Sequence, residues 1–245
     1  MANRYEQIAD DIRRLIAAGT WPPGEQIPAE SELSTRYHVS TPTLRMSLDL
    51  LQSEGLIEKR HGIGNFVRTP GERVVYAGDR RLVGGAATVG GPVAHDITEV
   101  EADVRLAVLL GVRVGSPVTE YVFVGHQGDS PRSLACVYVP RAVAPAGVPE
   151  ADGSPWGDGV RALLTAEGAA VTGTAERFIA RFPTAEEAYA LNISTRMPVL
   201  AVERTSMDAE HRVVEGAFLV LPGDRVEVLF TTRPATSREE TETAG

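Results

Sequence analysis

The stretch Val39-Ser-Thr-Pro-Thr-Leu-Arg45 limits the fold more than any other part of the chain, because its proline fixes where a helix can start. Proline lacks an N–H, so it suits the first turn of a helix, where that group has no intrahelical partner, and it breaks a helix interior. Leu44, Leu48 and Leu51 follow at helical spacing, so Pro42 starts a helix, with Ser40 placed as an N-cap that accepts from a backbone N–H two or three residues on. Arg45, Asp49 and Gln52 project from the side opposite the leucines, and Gly55 ends the helix. LIEKR, HGIG and NFVRT then read as strand, glycine turn and strand, a hairpin with a basic tip.

Two more helices precede this one. In NRYEQIADDIRRLIAAG, Tyr5, Ile8, Ile12, Leu15 and Ile16 recur at spacings of three and four, and Gly19 stands where a C′ glycine belongs. TWPPGEQIP is a turn-rich linker, and ESELSTRYH is a short second helix holding Leu33 and Tyr37. Three helices and a hairpin within 70 residues is the order of a winged helix-turn-helix.

Charge and composition narrow the function classes. The chain of 245 residues carries a formal net charge of −9, which argues against a protein that coats nucleic acid without regard to sequence. Residues 1–70 hold 8 basic and 9 acidic side chains, the remainder 16 and 24, so the acidity belongs to the C-terminal part. Within the first 70 residues Arg36, Arg45, Lys59, Arg60, His61 and Arg68 cluster late, so a near-neutral domain can still present one basic face. No apolar run approaches the ~20 residues of a membrane helix and no signal peptide opens the chain. The expected location is the cytoplasm, with no membrane partner. Cys136, the single cysteine, lies in the apolar alternation SLACVYV and reads as a small buried hydrophobe.

A second compositional regime begins near Gly71. Residues 71–95 are glycine-rich and read as a linker or hinge with possible strand. Thr98-x-x-Glu101 and Thr184-x-x-Glu187 each match a capping box and predict helix starts. VTEYVFVG, SLACVYVP, ERFIARFP, PVLAVERTSM, RVVEGAFLVL and VEVLFTT predict strands. This pattern gives an α+β domain with a mostly antiparallel sheet over 96–233, and residues 234–245 are expected to be a disordered tail.

With the residues in place, a family resemblance follows. YEQIADDIRRLI, PGEQIPAESEL and VSTPTLRMSLDLLQSEGLIEKRHGIGNFV closely resemble the DNA-binding domain of GntR-type bacterial transcriptional regulators. The span 95–232, from LLGVRVGSPV to MPVLAVERTSMDAEHRVVEGAFLVLPGDRVEV, resembles the UTRA effector-binding domain of the HutC branch, whose fold is chorismate-lyase-like. The resemblance implies a homodimeric repressor on a palindromic double-stranded DNA operator, released by a small-molecule effector. It implies DNA contacts from Ser40, Thr41, Thr43 and Arg45, and from the wing's Lys59, Arg60, His61, Gly62 and Gly64. Thr41 and Ser31 stand where relatives carry arginine, and Asn65 where threonine is usual. Since a guanidinium can fork onto guanine O6 and N7 and threonine cannot, a different base preference is expected there.

The implied effector site comprises Phe123, Gly125, Ala135, Val137, Glu215 and Leu221. Phe123 and Gly125 fall where sugar-phosphate-responsive relatives have arginines, Ala135 where they have an acid and Leu221 where they have a tyrosine. Without two fixed positive charges a phosphate dianion is poorly balanced, so the expected effector is not a sugar phosphate. Lyase or other enzymatic activity of the C-terminal domain is the competing reading. Pyridoxal phosphate chemistry needs a Schiff-base lysine, and the only lysine is Lys59, in the wing. His38, His61, His95, His126 and His211 are scattered, no nucleophile elbow, P-loop or dinucleotide fingerprint occurs, and neither a catalytic residue, a metal site nor a cofactor is expected.

Overall fold

The computed structural model describes residues 3–60, 62–69, 73–77, 93–127, 130–147 and 156–230. His61, most of the 71–95 segment and the C-terminal tail from 231 lie outside the described residues.

The first helix, α1 (Arg4–Ala17), buries Ile8, Ala9 and Ile12, and the Asn3 N–H donates to the Glu6 carboxylate at 2.8 Å. Gly19 follows with a left-handed φ of 72°, as a C′ glycine should. α2 (Glu30–Tyr37) buries Leu33. α3 (Thr41–Ser53) begins on Pro42 in its first turn and buries Leu44, Ser47, Leu48 and Leu51, the predicted stripe. The cap differs from expectation. Ser40 has the extended backbone of an N-cap but makes no side-chain cap bond; its hydroxyl instead pairs with the Thr43 hydroxyl at 3.0 Å. Pro42 deprives a cap of one of the two N–H groups it accepts from, and the Thr43 hydroxyl takes the serine oxygen instead.

The wing is β1 (Ile57–Arg60) against β2 (Gly64–Val67), antiparallel from Ile57↔Val67 to Arg60↔Gly64. Gln26 from the turn-rich linker bridges to Phe66 on the outer side of β2. One apolar cluster, including Ile8, Ile12, Trp21, Leu33, Leu44, Leu51, Ile57 and Val67, joins the helices to the wing. Burying each aliphatic side chain contributes about 1.5–3 kcal/mol, so the head has a core of its own.

The second domain is built on β4 (Val93–Glu101), β5 (Pro117–Gln127), β6 (Ser130–Pro140), β7 (Gly173–Arg181), β8 (Val199–Met207) and β9 (Val213–Pro222). They form one six-stranded antiparallel sheet in the order β4-β5-β6-β9-β8-β7. β3 (Val74–Ala77) pairs in parallel with β10 (Val226–Leu229), so part of the glycine-rich segment is strand. Thr98 and Glu101 do not start a helix: both lie in β4, with Thr98 opposite Glu120. The helix that follows, α4 (Val104–Leu110), is capped by Asp103, whose carboxylate accepts from Leu106 N–H at 2.7 Å. The second capping box is formed as expected: Thr184 accepts from Glu187 N–H at 3.2 Å and Glu187 accepts from Thr184 N–H at 2.8 Å at the start of α6 (Ala185–Ala190).

Period-2 alternation gives the sheet two distinct faces. One face carries the cluster of Tyr121, Phe123, Ala135, Val137, Val202, Ala217, Leu219 and Leu221, covered by Trp156, Tyr76 and α5 (Asp158–Ala166) through Val160 and Leu164. The other packs against α4 through Leu106 and Leu110 and against the end of α6 through Leu191. Cys136 lies half-buried on this second face, in the cluster with Leu134, Leu191 and Val220, and burial pushes its thiol up to about 11.

The wing is docked on the sheet domain. Ser130 donates to the Glu58 carboxylate at 3.1 Å, and Arg225 lies 3.6 Å from it. Asn192 donates to the Lys59 carbonyl, and Arg68 is ion-paired with Asp224. Asp224 and Arg225 occupy the turn between β9 and β10, so the strand at the centre of the sheet runs directly into the contact with the wing.

Candidate nucleic-acid interface and effector face

The N-terminal end of α3 gathers Ser40, Thr41, Thr43 and Arg45. The leucine stripe anchors one side of the helix, which leaves Thr41, Pro42, Arg45, Met46 and Asp49 exposed on the other. Helix N-termini also present unpaired N–H groups and positive dipole ends to phosphate. The Arg45 side chain is 63% exposed, and its Nε donates to Glu30 of α2 at 2.8 Å. A carboxylate therefore holds the guanidinium over the helix face, and an exposed pair of this kind is worth only about 0–1 kcal/mol. A guanine edge or a phosphate can displace it at little cost.

In the wing, Gly62 and Gly64 adopt φ of 73° and 140°, conformations that side chains resist. At Gly64 a Cβ would also lie 2.7 Å from the Gln26 amide nitrogen, the group that donates to the Ile63 carbonyl at 2.9 Å. Lys59 is exposed. Arg60 is half-buried, stacked 4.2 Å over the Phe66 ring and hydrogen-bonded to Glu58 at 3.1 Å through Nε and Nη2, so its charge is partly spent within the wing. Sequence reasoning passed over Met46 and Ile63, which is 63% exposed at the tip. Their signal was position alone: Met46 shares the face of Pro42 and Arg45, and Ile63 sits between the two turn glycines.

The six nominated effector residues do share one face of the sheet. Phe123 pairs with Ala135, which pairs with Leu219 and, through it, with Val202. The next row runs Tyr121, Val137, Ala217, Arg204 and Glu176. Phe123 is 5% exposed, and Ala135, Val137, Glu215 and Leu221 are 0%. They lie in a packed core, and none of them lines the cavities of about 860, 500 and 410 Å³.

The polar group of this face is an ion pair that sequence reasoning found only in part. Arg204, fully buried, pairs with Glu215 and donates to the Trp156 carbonyl at 2.9 Å. Arg161 of α5 reaches within 3.9 Å of the other Glu215 oxygen. Burial, and then the neighbouring Arg204 charge, pull the Arg161 guanidinium below its usual range. Arg204 is itself raised; burial opposes its charge, but Glu215, Tyr76 and Glu176 together outweigh that penalty. Nε and Nη1 of Arg204 and Oε2 of Glu215 have no hydrogen-bond partner, an uncommon state for buried groups.

The opposite face holds a cavity of about 860 Å³ between α4 and β7 to β9, lined by Val104, Arg105, Val108, Glu203 and Phe218 among others. Arg105 lies 3.6 Å over the Phe218 ring. Among the described residues no helix is long and apolar enough to cross a membrane, and no cluster of metal-ligating side chains occurs.

Comparison with known proteins agrees with this geometry. The profile of the gntR family of bacterial regulatory proteins matches residues 4–67, and that of the UTRA domain matches residues 94–227. The chain is 27% identical to the HTH-type transcriptional regulator Rv0792c of Mycobacterium tuberculosis, over 85% of this chain and 78% of the relative. It is 26% identical to the histidine utilization repressor of Klebsiella aerogenes, over 90% and 91%. A solved GntR-family transcriptional regulator superposes with a TM-score of 0.55 at 28% identity, covering 94% of this chain and 98% of that one. With a winged helix-turn-helix ahead of a UTRA sheet domain, the chain belongs to the GntR family of bacterial regulatory proteins, in its HutC branch, and is a transcriptional regulator with a DNA-binding head.

Proposed function

We propose that the protein is a repressor that acts as a homodimer on a palindromic operator and leaves it when a small molecule binds the sheet domain. The observation that carries this reading is the direct contact of the β9–β10 turn with the wing, through Arg225 to Glu58 and Asp224 to Arg68. Leu221 is close in sequence to the groups that hold the wing, and Glu215 lies near the other end of the same strand. Each protomer presents α3 to a major-groove half-site, with Arg45 reading base edges and Thr41, Thr43 and Ser40 near the backbone. Lys59, Arg60 and the Gly62–Gly64 turn lie along flanking phosphates. The name of the Klebsiella aerogenes relative supports repression.

The effector belongs on the face of Phe123, Gly125, Ala135, Val137, Glu215 and Leu221. Arg204 is already balanced by Glu215 there, with Arg161 and Glu176 beside the pair, and the groups around Phe123, Ala135, Val137 and Leu221 are aromatic or aliphatic. Such a face suits a ligand with one polar group on a mainly apolar body better than a sugar phosphate. A second reading places the effector in the 860 Å³ cavity under α4, which is open without rearrangement. An effector can release DNA only by its differential affinity for the two arrangements, and a coupling of ~1–3 kcal/mol is the usual scale.

Anisotropy titration of the DNA beside the protein's own gene tests the reading. Arg45→Ala should weaken operator binding by roughly 5- to 150-fold, for the ~1–3 kcal/mol of a bidentate base contact. Unchanged operator affinity in Arg45→Ala, or tight binding by a species that light scattering shows to be monomeric, would remove this assignment.

A further inference from the structure

The contact between head and sheet domain leaves a half-open cavity of about 410 Å³. Its walls come from both domains: Gly55, Leu56 and Arg68 from the head, Arg132 from the start of β6, and Asp224 and Arg225 from the β9–β10 turn. The walls carry four arginines, with Arg73 at the margin, and one carboxylate, Asp224.

That carboxylate does not balance them. Asp224 is taken by Arg68 and lies 3.9 Å from Arg225 Nε. Glu58, the other acid nearby, is shared among Arg60, Ser130 and Arg225. Burial depresses Arg225 and Arg132, and Glu58 offsets that in part. The side chains of Arg225 and Arg68 are 3% and 9% exposed. Nε of Arg68, Arg132 and Arg225 are all buried without a hydrogen-bond partner. A single orphaned guanidinium nitrogen is an ordinary packing imperfection. Three on arginines that line one cavity from two domains are buried charged donors without an acceptor, and a buried charged donor left unpaired is costly.

We propose that this interdomain cavity binds a small oxyanion, a phosphate or carboxylate group, at a site separate from the effector face. Guanidinium groups present planar forked donors that match either group, and the excess of positive charge supplies the counterion. A ligand there touches both domains, so its binding favours the arrangement in which the wing is docked.

Equilibrium dialysis of the full-length protein against radiolabelled inorganic phosphate, and in parallel against radiolabelled citrate, tests this at ionic strength held constant with sodium chloride. Saturable binding of one anion per chain is expected. Uptake of phosphate alone assigns a phosphate ligand, and uptake of citrate alone a carboxylate. Arg132→Gln, at a half-buried position that any folded variant can keep, should weaken binding about tenfold or more, for the loss of one charge-assisted hydrogen bond. Arg225→Gln should weaken it at least as much. Absence of saturable uptake of both anions, or equal uptake by wild type and Arg132→Gln, overturns the proposal. The experiment uses no operator DNA and no effector, so its result is independent of the repressor reading.

Discussion

Glu215→Leu isolates the buried ion pair. The substitution leaves Arg204, 0% exposed, with the Trp156 carbonyl at 2.9 Å as its remaining hydrogen-bond partner. It also removes the charge that separates Arg204 from Arg161, which lies on the far side of Glu215. Breaking a buried pair by removing one member costs about 3–5 kcal/mol, since the surviving charge is neither solvated nor paired. For a domain of this size ~3 °C of midpoint is lost per kcal/mol, so the sheet domain's thermal transition should fall by about 10–15 °C. Arg204→Met should cost less, because Glu215 keeps Arg161 within 3.9 Å. The double variant Arg204→Met with Glu215→Leu should be more stable than Glu215→Leu alone, as the orphaned charge is gone and two apolar groups fill the space. Differential scanning calorimetry of the four proteins completes the cycle. The reasoning fails if Glu215→Leu costs less than about 1 kcal/mol, or if the two single costs simply add.

Two smaller predictions concern helix starts and the thiol. Thr184→Ala breaks a formed capping box and should destabilise the sheet domain by about 1 kcal/mol, whereas Ser40→Ala loses only a hydroxyl pair and should cost less than about half of that, both read from urea midpoints. Cys136, with its pKa pushed up to about 11 by burial, stays a neutral thiol at pH 8. Iodoacetamide should therefore label it slowly in the folded protein and rapidly in urea. Because the folded value lies above the unfolded one, this group's contribution to stability is complete below pH ~8.5 and declines as pH rises toward 11; a urea midpoint that does not fall between pH 8 and pH 10 would contradict the sign.

What the residues disclosed in advance divides by range. Pro42 and the leucine stripe fixed α3 because the information is local, and the glycine turn fixed the wing for the same reason. Thr98-x-x-Glu101 and Thr184-x-x-Glu187 have the same spacing, yet only the second caps a helix. Thr98 instead pairs across to Glu120, with its hydroxyl donating to that carboxylate at 3.1 Å, and the strand alternation Ile97, Glu99, Glu101 continues through it. Asp103, two residues further on, was the better placed cap. The strand containing Arg204 was readable, but its burial was not, since the face of Arg204 follows from its register against β9 and from the charge of Glu215. The wing's docking was beyond reach, because Arg68 and Asp224 are 156 residues apart. Arg45 was legible as an exposed basic group, while its partner Glu30 on another helix was not.

The parallel pairing of β3 with β10 has one more consequence, for travel. Arg68 and Thr69 end the head, and Val74 is already fixed to Val226 at the body's edge. Only the backbone from Thr69 to Arg73 spans the gap, at most ~14 Å at ~3.3–3.6 Å per residue. The reading head is thus on a short leash. Any rearrangement between head and body must then be a swivel of the head in place rather than a long excursion.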